Sequence, residues 1–246
     1  MKKKKYKILG LVPARGGSKG IKNKNIINLA GKPLIAYAIE ALKKSKAVDK
    51  IVCTTDSELI AKVAERYGAE IPFLRPRELA KDTSPVYLAL AHAIKMLEKL
   101  QNYKPDYIVM IQPTSPLVLP EQISAAVKMV IRKKADSVIT AIDLEHDSHP
   151  YNIRDILPDG RIKFWMEKEH YKFPTRQSKP QFRKFGNLYV SSYNTLIRNG
   201  RLEGKKNYAL KVDKNTTHDI NTLEDIWEIE CFLKSRKTKN NAKNFK

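Results

Sequence analysis

Val12-Pro-Ala-Arg-Gly-Gly-Ser-Lys-Gly-Ile-Lys-Asn-Lys-Asn25 is the stretch on which the fold of this chain turns. The apolar run Ile8 to Val12 before it reads as a buried β-strand, and Pro33 to Leu42 after it reads as an amphipathic helix opened by a proline. A glycine-rich, cationic turn directly after a first strand is where an α/β sheet holds a polyphosphate. Gly16, Gly17 and Gly20 permit positive φ and close backbone approach, so that N–H groups converge on phosphate oxygens. Arg15, Lys19, Lys22 and Lys24 add positive charge. The segment matches neither the P-loop pattern nor GxGxxG, so neither named fingerprint applies.

Outward from that loop, strand and helix alternate. Ile51 to Thr55 predicts a second strand, Glu58 to Tyr67 a helix ended by Gly68, and Glu70 to Leu74 a third strand. Val86 to Leu100 is helical by periodicity, and Asp106 to Ile111 is a near-continuous apolar strand of the kind buried on both faces. A helix from about Glu121 to Lys133 and a strand from Ser137 to Ile142 follow. Repeated βα units predict an α/β fold with a Rossmann-like, doubly wound, mostly parallel sheet. From Asp143 to Arg183 the alternation breaks, with a hairpin expected between Ile153 and Phe164 around Pro158-Asp-Gly160. Strands return at Leu188 to Ser191 and Tyr208 to Val212, and Leu223 to Phe232 forms a closing helix. The expected organisation is one α/β domain (1–142 and 184–235), a small inserted subdomain (143–183) and a basic tail (236–246).

At 246 residues the chain can bury a full core, and it holds no apolar run of about 18 residues that would span a membrane. The basic start lacks the apolar stretch and cleavage site of a secretory signal. Cys53 and Cys231 have no metal-ligand spacing and read as buried, reduced thiols of a cytoplasmic protein. The net charge of +21 suggests nucleic acid, but eleven cations fall within residues 2–7 and 234–246, ends expected to fray, with no aromatics spaced for base stacking. Solvated lysine-rich surface accounts for them better than a specific nucleic-acid site does. His146, His149, His170 and His218 form no metal-spaced cluster, and Tyr171, Phe173, Phe182 and Phe185 read as packing residues.

Ligands of open α/β sheets bind beyond the carboxyl ends of the strands. Four strands here end in polar loops: Arg15 to Asn25, Thr54 to Ser57, Arg75 to Ser84 and Gln112 to Ser115. With Arg176-Gln-Ser-Lys-Pro180 and Asp219-Ile-Asn-Thr-Leu-Glu-Asp225, the first, third and fourth loops carry a resemblance. In order and spacing they resemble the CMP-sialic acid synthetases (acylneuraminate cytidylyltransferases), including the bacterial CMP-nonulosonate synthetases, over nearly the whole chain. The resemblance implies a nucleotide-diphospho-sugar transferase type of fold and a reaction of CTP with an acidic keto-deoxy sugar, giving a CMP-sugar and pyrophosphate. It also implies Mg²⁺ (or Mn²⁺) and a homodimer closed by the protruding subdomain.

By that resemblance Ala14, Arg15, Gly16, Gly17, Ser18, Lys19 and Asn25 are nucleotide-binding, with Arg15, Ser18 and Lys19 on the triphosphate. Lys24, Arg15 and Asp219 are catalytic, Lys24 neutralising the α-phosphate. Arg75, Ala80 and Ser84 meet cytosine and ribose, and Gln112, Arg176 and Asn187 meet the sugar. Asp82 is either a ligand or the cap of the helix that follows.

Two departures from the family pattern stand out. The usual Asp-x-Asp metal pair is Asp219-Ile-Asn221 here, so the metal ligands implied are Asp219 and Asn221. The sequence Phe185-Gly-Asn187 stands where Asn-Gly is expected, which leaves the acceptor open among sialic, legionaminic, pseudaminic and other keto-deoxy acids. Sugar-1-phosphate nucleotidyltransferases share the fold type and the loop position, but favour a Gly-x-Gly-x-Arg loop that is absent here.

Overall fold

The computed structural model describes residues 6–17 and 20–243, the last eight of these as backbone. Alternation along β1 (Ile8–Pro13) sets the layers, because period-2 side chains go to opposite faces. Ile8 and Val12 join one core and Leu9 and Leu11 another, all of them buried. Gly10 stands where α1 (Leu34–Ser45) crosses the strand: a Cβ there would lie 3.1 Å from the Leu42 methyls. A short hairpin, β2 (Asn28–Leu29) and β3 (Lys32–Pro33), leads into that helix.

The chain continues through β4 (Lys50–Thr54), α2 (Glu58–Tyr67), α3 (Val86–Gln101), β5 (Tyr107–Ile111), α4 (Pro120–Lys133) and β6 (Ser137–Asp143). An excursion carries the hairpin β7 (Arg154–Ile156) and β8 (Ile162–Phe164), then α5 (Glu167–Lys172). The sheet resumes at β9 (Arg183–Ser192), followed by α6 (Tyr193–Ile197), β10 (Asn207–Lys211) and α7 (Leu223–Lys243).

The six-stranded sheet runs β10-β6-β9-β5-β1-β4. Every pairing is parallel except those of β9, which lies antiparallel between β5 and β6. Residues of α1, α2 and α4 fill the core on one face, those of α3 and α6 the core on the other. A third cluster sits at the carboxyl end of the sheet, where Ile21, Leu29, Leu34, Leu117, Ile220 and Ile229 pack together. It draws on the glycine-rich loop, the Gln112–Leu117 loop and the approach to α7, and so bolts together the segments that border the site.

The doubly wound, mostly parallel sheet is as expected from the sequence, with four local differences. The strand expected at Glu70–Leu74 is a single parallel bridge, Val52 to Glu70, because Pro72 has no N–H to continue a ladder. Helix α7 runs through Lys243 rather than ending at Phe232. No Gly or Pro interrupts residues 233–243, and cations at a helix C-terminus favour the macrodipole. The basic tail therefore does not begin as a frayed end. Tyr171 and Phe185 are exposed rather than packed, while Phe173 and Phe182 pack on Tyr151. Among the described residues no helix is long and apolar enough to cross a membrane.

The cysteines also differ from the sequence reading, since only Cys53 is buried and Cys231 lies exposed on α7. Burial pushes the Cys53 thiol up to about 12, which leaves almost no thiolate near neutrality. Iodoacetamide at about pH 8 is expected to label Cys231 alone in the folded protein and both thiols in denaturant. Mass spectrometry of the labelled protein reads the count, and Cys231→Ser should abolish the native signal.

Candidate active site

A cavity of about 310 Å³ opens at the carboxyl ends of β1 and β5. Arg15 and Gly17 border it from the glycine-rich loop, and Lys24 and Asn25 from the 3-10 turn Lys24–Ile26. Arg75, Leu79, Lys81, Asp82 and Ser84 line it from the α2–α3 connection, while Val86 and Ala89 come from the first turns of α3. Gln112, Pro113 and Thr114 contribute from the end of β5, and Asn221 from the approach to α7. The N-terminal turn of α3 adds partial positive charge from its free N–H groups.

The glycine-rich loop is held by one clamped peptide. The Arg15 carbonyl accepts from Asn25 Nδ2 at 2.8 Å, and the Gly16 N–H of the same peptide unit donates to Asp56 Oδ1 at 2.8 Å. Gly16 and Gly17 are not left-handed; among the described residues of this segment, positive φ falls at Asn23, at 54°. Gly16 is needed for close approach instead, since a Cβ there would stand 3.0 Å from Ser57 Cβ. Ala14 is fully buried in the sheet core, its N–H donating to the Thr54 carbonyl. Ser18 and Lys19 lie outside the described residues.

Arg15, Lys24 and Arg75, three of the cations that line the cavity, have different environments. Arg15 is half-buried and ion-paired with Asp82 across the cavity mouth. Burial lowers the Lys24 pKa, opposed by the Asp225 and Asp219 carboxylates, which favour its charged form. Arg75 is buried, its Nε and Nη2 lack protein hydrogen-bond partners, and it forms a 3.7 Å ion pair with Asp56. Burial depresses its pKa and Asp56 raises it. Lys22, by contrast, is exposed and does not border the cavity, and Ala80 ends the 3-10 turn Arg77–Ala80 without lining it.

Asp219 and Asn221 straddle a buried Ile220 whose N–H donates to the Thr114 carbonyl at 2.8 Å. Alternation sends the two polar side chains to the other side of this segment. Ser115 Oγ donates to Asp219 Oδ1 at 2.5 Å. Asp225 accepts from the N–H groups of Asn221 (2.6 Å) and Thr222 (2.8 Å), while its own N–H donates to Thr222 Oγ1. That reciprocal cap starts α7 and fixes Asn221 at once. Asn221 borders both the first cavity and a second of about 480 Å³ that is also lined by Asp219, Lys184, Lys214 and His218.

The sugar-site candidates are more dispersed. Gln112 borders the first cavity. Arg176 borders a third, of about 450 Å³, which shares Asp143, Leu144 and Glu145 with the second. Asn187 borders none of the three: it is buried on β9 with Nδ2 unpartnered, one register step from the Ile111–Leu188 pair and so beside Gln112.

The Cytidylyltransferase family model matches residues 9–238, nearly the whole chain. The chain belongs to the cytidylyltransferase family. It is 36% identical to the CMP-N,N'-diacetyllegionaminic acid synthase of Legionella pneumophila, over 78% of this chain and 81% of the relative. It is 30% identical to a pseudaminic acid cytidylyltransferase of Campylobacter jejuni, covering 89% and 93%. In fold it is similar to a CMP:2-keto-3-deoxy-manno-octonic acid synthetase solved with CTP, at a TM-score of 0.70 and 12% identity, over 94% of this chain and 99% of that one.

Within this cytidylyltransferase, the glycine of Phe185-Gly-Asn187 has a local physical reason. Strand β9 bulges against β6 between the Ala141–Phe185 and Ile139–Tyr189 pairs. There Gly186 passes so near Thr140 that a Cβ would lie 2.4 Å from Oγ1. The sequence patterns did not single out Asp56, Thr114 or Ser115, although each lies in a loop flagged as polar at a strand end.

Ile220 is expected to be the structural pin of the Asp219–Asn221 pair. Ile220→Ala should lower stability by about 2–5 kcal/mol in urea unfolding. Ser115→Ala should leave stability within about 1 kcal/mol.

Proposed function

We propose that this cytidylyltransferase uses CTP to activate an acidic nonulosonic keto-deoxy sugar, releasing pyrophosphate and forming a CMP-sugar. The observation that carries the reading is the convergence of Arg15, Lys24, Arg75, Ser84, Gln112 and Asn221 on one cavity in a chain of this family. The named activities of the Legionella and Campylobacter relatives support a nine-carbon acidic sugar as acceptor.

In the reaction the anomeric hydroxyl oxygen attacks the α-phosphorus in line. The new P–O bond forms as the bond to the β-phosphate oxygen breaks, and the sugar hydroxyl gives up its proton. Charge grows on the equatorial oxygens and on the pyrophosphate, so preplaced cations are the main requirement. Arg15, with Ser18 and Lys19, holds the triphosphate; Lys24 faces the α-phosphate; Ala14, Gly16, Gly17 and Asn25 shape the loop around the nucleotide. The buried guanidinium of Arg75, with donors unspent on protein, suits the O2/N3 edge of cytosine, and Ser84, which also lines the cavity, suits the base and ribose side. Arg176 is suited to a bidentate pair with the sugar carboxylate, and Asn187 and Gln112 to its hydroxyl groups.

Asp219 and Asn221 offer hard oxygen donors for Mg²⁺ or Mn²⁺. No group of three or more His, Cys, Asp or Glu side chains able to hold a metal is gathered among the described residues. Asp219 and Asn221 would hold a magnesium ion together with substrate phosphates and water, the ligand mix that ion commonly takes. Bound there, the ion would supply charge neutralisation on the triphosphate.

The excursion at residues 143–183 is assigned to dimerisation and the sugar site. Ile156 and Ile162, paired across the small hairpin, and Trp165 beside it are 74%, 64% and 73% exposed, an apolar group of the kind that an interaction surface presents. Ile156→Lys with Trp165→Lys is expected to shift the protein from dimer to monomer in sedimentation velocity.

Pyrophosphate release from CTP and Mg²⁺ with a panel of keto-deoxy sugars tests the activity. Release with at least one acidic nine-carbon sugar is expected, and mass spectrometry of the product should give a CMP-sugar. Absence of release with every sugar, from folded protein, overturns the reading. Asp219→Ala should lose most activity, by about 100-fold or more, whereas Asn221→Asp should keep or raise it.

A further inference from the structure

We propose that Asp56 is a positioning residue that couples the triphosphate loop to the base-reading arginine, so that one carboxylate sets both the register of the phosphate cradle and the choice of base. The proposal rests on the cytidylyltransferase reading above and deepens it.

Asp56 stands in the turn between β4 and α2, and its surroundings leave it little freedom. The Ser57 N–H on one side donates to Thr55 Oγ1 at 3.1 Å, and Ser57 Oγ accepts from Ile60 N–H as the cap of α2. The Thr55 carbonyl on the other side accepts the Arg75 N–H at 2.7 Å, which fixes the Arg75 backbone to the same turn. The Asp56 side chain is mostly buried, 17% exposed, where its charge is poorly screened.

One oxygen, Oδ1, performs both tasks. It accepts the Gly16 N–H at 2.8 Å and lies 3.7 Å from Arg75 Nη2. The Gly16 bond clamps the peptide that joins Arg15 to Gly16, whose other end is held by Asn25. Arg15 and Gly17, on either side of Gly16, border the nucleotide cavity, so the angle of that peptide sets where they present to a triphosphate. The Arg75 contact is longer than a hydrogen bond. It balances the buried guanidinium while leaving Nε and Nη2 without protein acceptors, available to a ligand.

Asp56→Asn and Asp56→Ala separate the two tasks. Asparagine keeps an oxygen for the Gly16 N–H and removes the charge facing Arg75; alanine removes both. Isothermal titration of the full chain with CTP, UTP and CMP reads base choice as the CTP:UTP affinity ratio and phosphate grip as the CTP:CMP ratio. Asp56→Asn is expected to cut the CTP:UTP ratio by about 10-fold and leave the CTP:CMP ratio within about 2-fold. Asp56→Ala is expected to cut both. A merely structural role would weaken all three nucleotides together and leave both ratios unchanged, and that result overturns the proposal. So does an Asp56→Asn variant with an unchanged CTP:UTP ratio, which decides the matter alone if the alanine variant does not fold. Pyrophosphate release by the wild type, measured alongside, reads the enzymatic assignment separately. A wild type that prefers CTP over UTP yet releases none loses that assignment and keeps the role of Asp56.

Discussion

The burial of Ile220 is the constraint on which the working end of this molecule depends. A single apolar side chain with no exposure, packed on Ile21, Leu117 and Ile229, anchors a segment whose neighbours on either side are polar. Its backbone N–H is spent on Thr114, so the segment has one register against the Gln112–Leu117 loop. Asp219 and Asn221 inherit their positions from that register. Ser115 and Asp225 then fix each of them individually, one through a hydroxyl and the other through a helix cap.

The cations follow the same logic of secondary support. Lys24 stays near two carboxylates that offset its desolvation, and Arg75 near one. Buried charge without such partners is costly, so these acids favour the charged forms of Lys24 and Arg75 against their desolvation. The Arg15–Asp82 ion pair extends this to another cation that lines the cavity.

Much of the fold was legible because its signals are local. The apolar run at Tyr107–Ile111, the 3.6 period of Val86–Gln101 and the Ser57…Gly68 punctuation of α2 each fix an element without reference to the rest of the chain. Glu70–Leu74 was misleading because composition favours a strand while Pro72 forbids the ladder, and only the neighbouring strand reveals how far pairing goes. The cavity residues near Arg15 and Arg75 were legible through motif order. Asp56 was not, since its meaning lies in a contact with Gly16, forty positions earlier. The excursion was least legible: its aromatic cluster around Tyr151 and its bare hairpin face carry no period that a single sequence displays.

The place of β9 also bears on the order in which this chain can fold. Strands β5 and β6 never pair with one another; β9, arriving some forty residues after β6, is the only bridge between them among the described strands. The β1–β5 pairing, Ile8 with Tyr107, joins segments at least as distant in sequence as the β5–β9 pairing, Tyr107 with Ser192, so neither half of the sheet is local and the topology is of the slow-folding kind. The two halves become one continuous sheet only when β9 seats between β5 and β6.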